Sequence, residues 1–594
     1  MASKKTIKPP TGYGSWGDYV LELAQAAETK YAPRNREIKA IHDRRFMKKA
    51  PEFPQNFKIL SAEFRSPLIW DFIRRSVAIV STQLPQPKVI PTKPGPEAQA
   101  NSSLREKWQS GAYRRMSERI DAYPMFVDAG IETGSAILKV LPQHMSYYNI
   151  QKGDDESDND YETRKDTYHK ANFPFVWEHV PTNCFYPMGE NEVVEISQRE
   201  TLPLARKYGL NPRDIKVGSY AGEGYPNTVR FIEYWKAAEE NSKGKLQDGV
   251  FIYMVEDVEV KAGRHQWTRV PYFEARANTS SSKDVAEQSL SLAYPLANLQ
   301  DNIDALATMS LNWAYIGTTP MINLTAADEG AIYNSDKPFE WEPGKGVPPG
   351  FEAKWVTPTP MGADLARMMN YLQSMANQVS LNPLLGNLET QGDLMGASGV
   401  TIQTMVAIAK SIFGPFTTNI ARVFDEIAAF MFRCIEKDFK SPIPVYAYDN
   451  KGGGKSKQGK WLELGPDDIR GYYEMRHNLK PIIPAEWMSK TIFLSDQAAR
   501  GHITKNYVRE EGIGLEAPEE MADAVLLERF EEGAAMQSLL DQRFMEAMGA
   551  GQPPGLGAPM ANIPIAPPQQ QGVPAVEGVG RGLGPGSQPY QPQR

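Results

Sequence analysis

LAYPLANLQDNIDALATMSLNWAYI, residues 292–316, decides how this chain is read. Leu292, Leu296, Leu299, Ile303, Leu306, Met309, Trp313 and Ile316 recur at steps of mostly four and three, the spacing that lines one face of an α-helix. LARMMNYLQSMANQV, residues 365–379, repeats the device with Leu365, Met368, Leu372, Met375 and Val379. Each stripe is narrow, so each helix is expected to pack one face and leave the rest to water or another subunit. The insert between them, residues 318–360, is expected to be non-helical, and a Gly-rich loop follows the second helix. A second pattern overlies the first. Residues 285–336 and 368–409 contain no Lys or Arg, although 65 of the 594 residues are basic. Two lean helices and a loop stripped of positive charge predict a lining, not a catalytic pocket.

A chain of 594 residues exceeds one hydrophobic core and should hold several subdomains. Its apolar share, aromatics and mixed charge describe a folded protein. A net charge of −7 argues against a protein that coats nucleic acid, which would be basic. Cys184 and Cys434 are the only cysteines, so neither a disulfide framework nor a Cys-based zinc site is expected, and a reducing compartment is assumed. Residues 1–8 are polar and basic, with no signal peptide visible, and the most apolar stretch, 400–432, is interrupted by Lys410, Arg422 and Asp425. No membrane span is expected.

Outward from the helices, residues 1–50 read as a polar arm with one helix near 16–30. Ser66 is a candidate N-cap with Pro67 at the first helical position, opening a helix over 68–82. A short strand at 88–90, a long helix over 96–129, the punctuating Gly134 and a strand over 136–141 follow. Residues 153–166 read as an acidic surface loop. Strand-like runs occupy 176–187, 229–235, 250–255 and 270–273, so the chain mixes helices and strands in the α+β manner. Beyond the loop, one long helix over 400–437, with Ser398 as its candidate cap, precedes strands at 443–448, 460–464 and 472–477. Short helices are expected over 484–548, and a Gly/Pro/Gln-rich tail over 549–594 should be disordered or extended.

The signatures of enzymes fail one by one. Gly452–Ser456 imitates a phosphate loop, but its first glycine would fall at Asp449; sliding to Lys460 puts Trp461 where a Ser or Thr must hold magnesium. Gly396-Ala397-Ser398-Gly399 lacks a glycine two residues after the serine. His42, His144, His169, His179, His265, His477 and His502 form no short-spaced metal pair. An acidic second helix, with Glu519, Glu520, Asp523 and Glu528, spoils a helix-turn-helix reading of 501–530. No catalytic residue, metal or cofactor is expected.

The order of features over residues 64–530 resembles the portal proteins of tailed bacteriophages. Phe64-Arg65-Ser66-Pro67-Leu68-Ile69-Trp70-Asp71 is similar to that family's approach to its first helix. Residues 134–140 followed by Trp177-Glu178-His179-Val180-Pro181 are similar to its next stretch. Ile232-Glu233-Tyr234-Trp235, Gly263-Arg264-His265 and Arg269-Val270-Pro271-Tyr272-Phe273 resemble the segment leading into the stem. Tyr294-Pro295-Leu296 through Trp313 resembles the first stem helix, and Gly396-Ala397-Ser398-Gly399-Val400 the passage from tunnel loop to wing helix. Together, not singly, these carry the resemblance.

The resemblance implies an α+β subunit with wing, paired stem helices, clip, tunnel loop and helical crown, assembled as a homo-oligomeric ring, usually of twelve. Its parts would be an N-terminal arm at 1–50, wing at 51–284 and 400–483, stem helices at 285–317 and 361–381, clip at 318–360, tunnel loop at 382–399, crown at 484–548 and the tail at 549–594. The implied role is a structural conduit for packaging and ejecting double-stranded DNA at the capsid vertex of the virion, assembled in the host cytoplasm. Implied partners are the terminase motor, a head-tail adaptor, and capsid and scaffolding proteins, with no membrane. Asp328, Glu329, Tyr333, Phe339 and Trp341 are the clip candidates for docking, and Leu384, Leu385, Asn387, Leu394 and Met395 the tunnel-loop candidates. The missing cations meet this independently, because each phosphate–cation contact adds affinity and would brake a sliding duplex. Asp301, Asp304, Glu389 and Asp393 are therefore expected to face the channel as a weakly repulsive wall. The alternatives are another head-tail adaptor, or an enzyme using Lys455 or Lys460.

Overall fold

A computed structural model describes residues 9–53, 63–211, 227–240, 246–318, 321–326, 351–356, 363–379, 399–447, 460–479, 493–505 and 508, apart from 83, 92, 94, 144–146 and 190. Helices α1 (Trp16–Arg45) and α2 (Leu68–Val80) lead to strand β1 (Gln86–Lys88), α3 (Pro96–Arg119), α4 (Ala122–Thr133) and β2 (Ser135–Pro142). Then come α5 (Asp158–Ala171), β3 (Phe175–Val180), β4 (Phe185–Pro187), β5 (Glu192–Glu200), α6 (Thr201–Tyr208) and β6 (Thr228–Lys236). The short β7 (Glu239–Glu240) and β8 (Leu246–Gln247) precede β9 (Gly249–Val255), β10 (Val258–His265) and β11 (Tyr272–Arg276). The second half holds α7 (Tyr294–Thr318), β12 (Met321–Ala326), β13 (Phe351–Val356), α8 (Ala363–Val379) and α9 (Gly399–Asp438). It closes with β14 (Ile443–Ala447), β15 (Lys460–Leu464), the single turn α10 (Pro466–Ile469) and β16 (Arg476–Asn478).

The fold is α+β, with antiparallel sheets. A five-stranded sheet runs β10-β9-β6-β5-β4 and a three-stranded sheet β11-β2-β3. Strand alternation sorts the side chains of the larger sheet. Val194, Ile196, Ile232, Tyr234, Ile252 and Met254 point to one face, where Val20, Ala24, Ala27 and Tyr31 of α1 cover them. Val193 and Trp235 point to the other and meet Ile137, Val180 and Tyr272 of the smaller sheet. The main core lies behind that sheet, where Phe416, Ile420, Phe424, Ile427 and Met431 of α9 meet Trp108, Tyr113, Phe126 and Leu138. Strand β1 pairs with β16, tying residues 86–88 to 476–478.

Several expectations need correction. The helix expected near 16–30 extends over 16–45, running through Pro33 because its small apolar face is buried on the sheet. The helix expected over 96–129 breaks at Ile120, whose backbone is extended. The acidic stretch 153–166 is only partly a loop. Ser157 accepts the amide of Asp160 and starts α5 with Asp158 and Asp160 in its first turn, where carboxylates favour the helix dipole. Strands β5 and β10, whose charged residues mask alternation, were not foreseen. Gly134 does punctuate the chain: it ends α4 at φ +82°, and a Cβ there would press on the Leu290 carbonyl. The region expected to hold the crown lies outside the described residues, apart from 493–505 and 508, and so does the tail.

Candidate functional site

Both striped segments form helices and pair through Ile303, Leu372 and Ala376, with half-buried Leu299, Leu306 and Leu68 packed beside them. Between them the insert supplies an antiparallel hairpin, Met321 opposite Val356 and Ala326 opposite Phe351. Leu296 and Ile303 of the first stripe are buried as expected. The second stripe sits one residue off at its start. Met368 is 54% exposed, whereas Met369 is half-buried and Ala376 buried, so the packed face follows 369, 372 and 376. Tyr294 at 46%, Leu311 at 45%, Tyr315 at 49%, Met368 and Tyr371 at 60% are exposed on this pair. Its other exposed positions include the neutral Asn298, Asn302, Asn370, Gln373 and Ser374.

The root of α7 is held by a polar ladder that the apolar stripe conceals. Gln300, Asp304 and Thr308 recur every four residues and are buried. The Gln300 side-chain oxygen accepts the amide of Ile69 at 3.0 Å, Asp304 that of Ser66 at 2.7 Å, and Thr308 that of Phe64 at 2.9 Å. Segment 64–69 is thereby strapped along α7. Gln300 satisfies a first-turn amide of α2, one that its own cap leaves open. Ser66 is not the cap: Pro67 occupies that position with no side-chain bond. Next to the ladder, Asp301 receives Arg44 through Nε and Nη2 at 2.9 and 2.7 Å, and Lys49 at 2.7 Å.

Two of the expected channel candidates, Asp301 and Asp304, make contacts within the subunit. Asp301 is neutralised by two cations from the end of α1 and the residues after it, and Asp304 is 5% exposed against a backbone amide. Burial pushes both carboxyls up; Arg44 and Lys49 overcome this for Asp301 and hold it below its ordinary value, while Asp304 stays above. Neither is a free wall charge. Glu389 and Asp393 lie outside the described residues, as do Leu384, Leu385, Asn387, Leu394 and Met395 of the loop and Asp328, Glu329, Tyr333, Phe339 and Trp341 of the insert. Ser398 and Lys455 lie outside them too, while Lys460 starts β15 opposite Ala447.

Two buried clusters imitate catalytic sites. Lys139 of β2 reaches Glu195 at 2.8 Å and Glu233 at 2.5 Å across the sheet interface. Tyr272 donates to Glu195 at 2.7 Å, and Arg199 reaches Glu233 at 2.9 Å. Glu195 and Glu233 stand directly opposite each other on paired strands, a repulsion that the two cations cancel. The second cluster is a relay: Asp425 to His477 Nδ1 at 2.8 Å, and His477 Nε2 to the Tyr113 hydroxyl at 2.9 Å. Burial raises Tyr113 well above its ordinary pKa and lowers His477. Tyr113 is 1% exposed, so its hydroxyl meets no substrate. Both clusters read as internal struts. Among the described residues no group of three metal-ligating side chains forms, and both cysteines are free thiols.

The chain was compared with models of known protein families and with curated proteins, and no match was found in either comparison.

Proposed function

We propose that this chain is a ring-forming portal subunit, a structural and non-enzymatic conduit for double-stranded DNA at a phage capsid vertex. One observation supports the reading most: two paired helices, joined through a β-hairpin and almost free of cations, leave five large apolar side chains exposed. Apolar side chains gathered on one short helix pair suit a protein interface. In a ring, Leu311, Tyr315, Met368 and Tyr371 would meet neighbouring copies.

With Asp301 and Asp304 engaged within the subunit, the channel wall is proposed to be neutral where acidic residues were expected. Asn298, Asn302, Asn370, Gln373 and Ser374 would face the duplex. Amides exchange hydrogen bonds between water and phosphate at little net gain, and they release no counterions, so the duplex can slide. The hairpin would present the insert to the terminase motor and later to a head-tail adaptor, and other surfaces would meet capsid and scaffolding proteins. No described helix is long and apolar enough to cross a membrane.

Mass photometry tests this reading. The purified chain should give a species at many times 66.3 kDa, near twelvefold, and Met368→Lys with Tyr371→Lys should return it to monomer without changing its circular dichroism. A wild-type chain that stays monomeric at every concentration contradicts it. Leu385→Ser or Leu394→Ser should leave the ring intact while DNA retention falls. Nucleotide should not bind at Lys455 or Lys460.

A further inference from the structure

A groove of ≈ 670 Å³ opens where β4, β5 and β11 meet α9. Arg269, Arg276, Arg422 and Arg433 line it, against only Glu274 and Glu426. Glu426 is shared by Arg269 at 2.6 Å and Arg422 at 3.4 Å, and Glu274 is 3.3 Å from Arg276. Four guanidiniums against two carboxylates leave a surplus of two positive charges, on a chain whose net charge is −7. The Arg422 side chain is 77% exposed, so its guanidinium is available to an incoming carboxylate. Val270, Tyr272 and Val423 give the same groove an apolar wall.

This mixture suits an acidic peptide better than a polyphosphate. Glu274 and Glu426 would repel a continuous row of phosphates but can accept peptide amides, and the apolar wall takes a side chain. The chain itself carries such a segment. Residues 153–160 hold five carboxylates; Glu156 pairs with Arg164 and Asp158 with Lys152, while Asp154 and Asp155 stand exposed just before the start of α5.

We infer that this groove receives the acidic turn at residues 153–160 of a second copy of the chain. The two surfaces differ, so the contact is heterologous, the kind that closes into a ring when its rotation permits. The choice of partner rests on the ring reading, and the test separates the two. Arg422→Glu should raise the concentration for half-assembly about tenfold, and so should Asp154→Lys with Asp155→Lys, as expected for a lost charge contact across an interface. Combining all three substitutions should restore assembly, and Arg422→Gln, which keeps the helix propensity, should give a smaller loss. Rings that assemble equally well in every variant overturn the inference and leave the ring reading standing. If the wild-type chain is monomeric, the ring reading falls and the groove is tested alone with a synthetic peptide of residues 150–161. Binding that salt weakens and Arg422→Glu abolishes supports the groove; no binding, or binding of a DNA oligonucleotide in its place, overturns it.

Discussion

Lys139 illustrates what one residue does here. It is the fully buried cation between two carboxylates that face each other across a strand pair. Burial alone would lower its pKa, but Glu195 and Glu233 hold its ammonium above its ordinary value. Lys139→Met should cost about 3–5 kcal/mol, because it strands both carboxylates with Arg199 as their remaining cation. The urea midpoint measures this; a loss under 1 kcal/mol, the ~1 kcal/mol scale of a surface pair, would show that the cluster is hydrated. His265 makes the opposite case. Burial lowers it to about 4, and His179 likewise. Between pH 4 and 6.5 the unfolded chain therefore binds more protons than the folded one, and stability falls as pH drops through that window. The loss for His265 is on the order of 3 kcal/mol, and His265→Gln should flatten the urea midpoint against pH.

Elements were legible in the sequence where their pattern was apolar and periodic, and illegible where partners decided. The stripe of α7 pointed to its packed face, and Gly134 marked the end of α4, because a positive φ and a close backbone neighbour demand glycine. The helix near 16–30 was legible, but its packing on a sheet was not, because the face that α1 buries is built from small residues, Ala24 and Ala27 among them, whose value depends on the sheet beneath. The polar ladder had a signal, Gln300, Asp304 and Thr308 at steps of four, but its acceptors serve amides more than two hundred residues away. For that reason the internal partners of Asp301 and Asp304 were not legible in the sequence. Asp304→Ala should cost about 1–3 kcal/mol, the price of a buried amide left unsatisfied, and should speed hydrogen exchange over residues 64–69. Unchanged exchange there would mean that the strap is held by other contacts.

At the scale of the whole molecule, the α+β class was readable from helices flanking a β-rich middle, and the structure has both. The pairing of β1 with β16 was not, since it joins segments almost four hundred residues apart. A helix pair with so small a core of its own, Ile303, Leu372 and Ala376, is expected to gain much of its order from neighbours. Leu372→Ala should therefore destabilise the isolated subunit only locally, by about 2–3 kcal/mol, with hydrogen exchange rising over residues 363–379. The same substitution in an assembly should lower its yield. The most direct test of the central proposal is electron microscopy of the purified chain. Closed rings with a central hole wide enough for a DNA duplex are the expected result, with the paired helices along the hole. Compact particles without a hole, at concentrations where the chain self-associates, would contradict it.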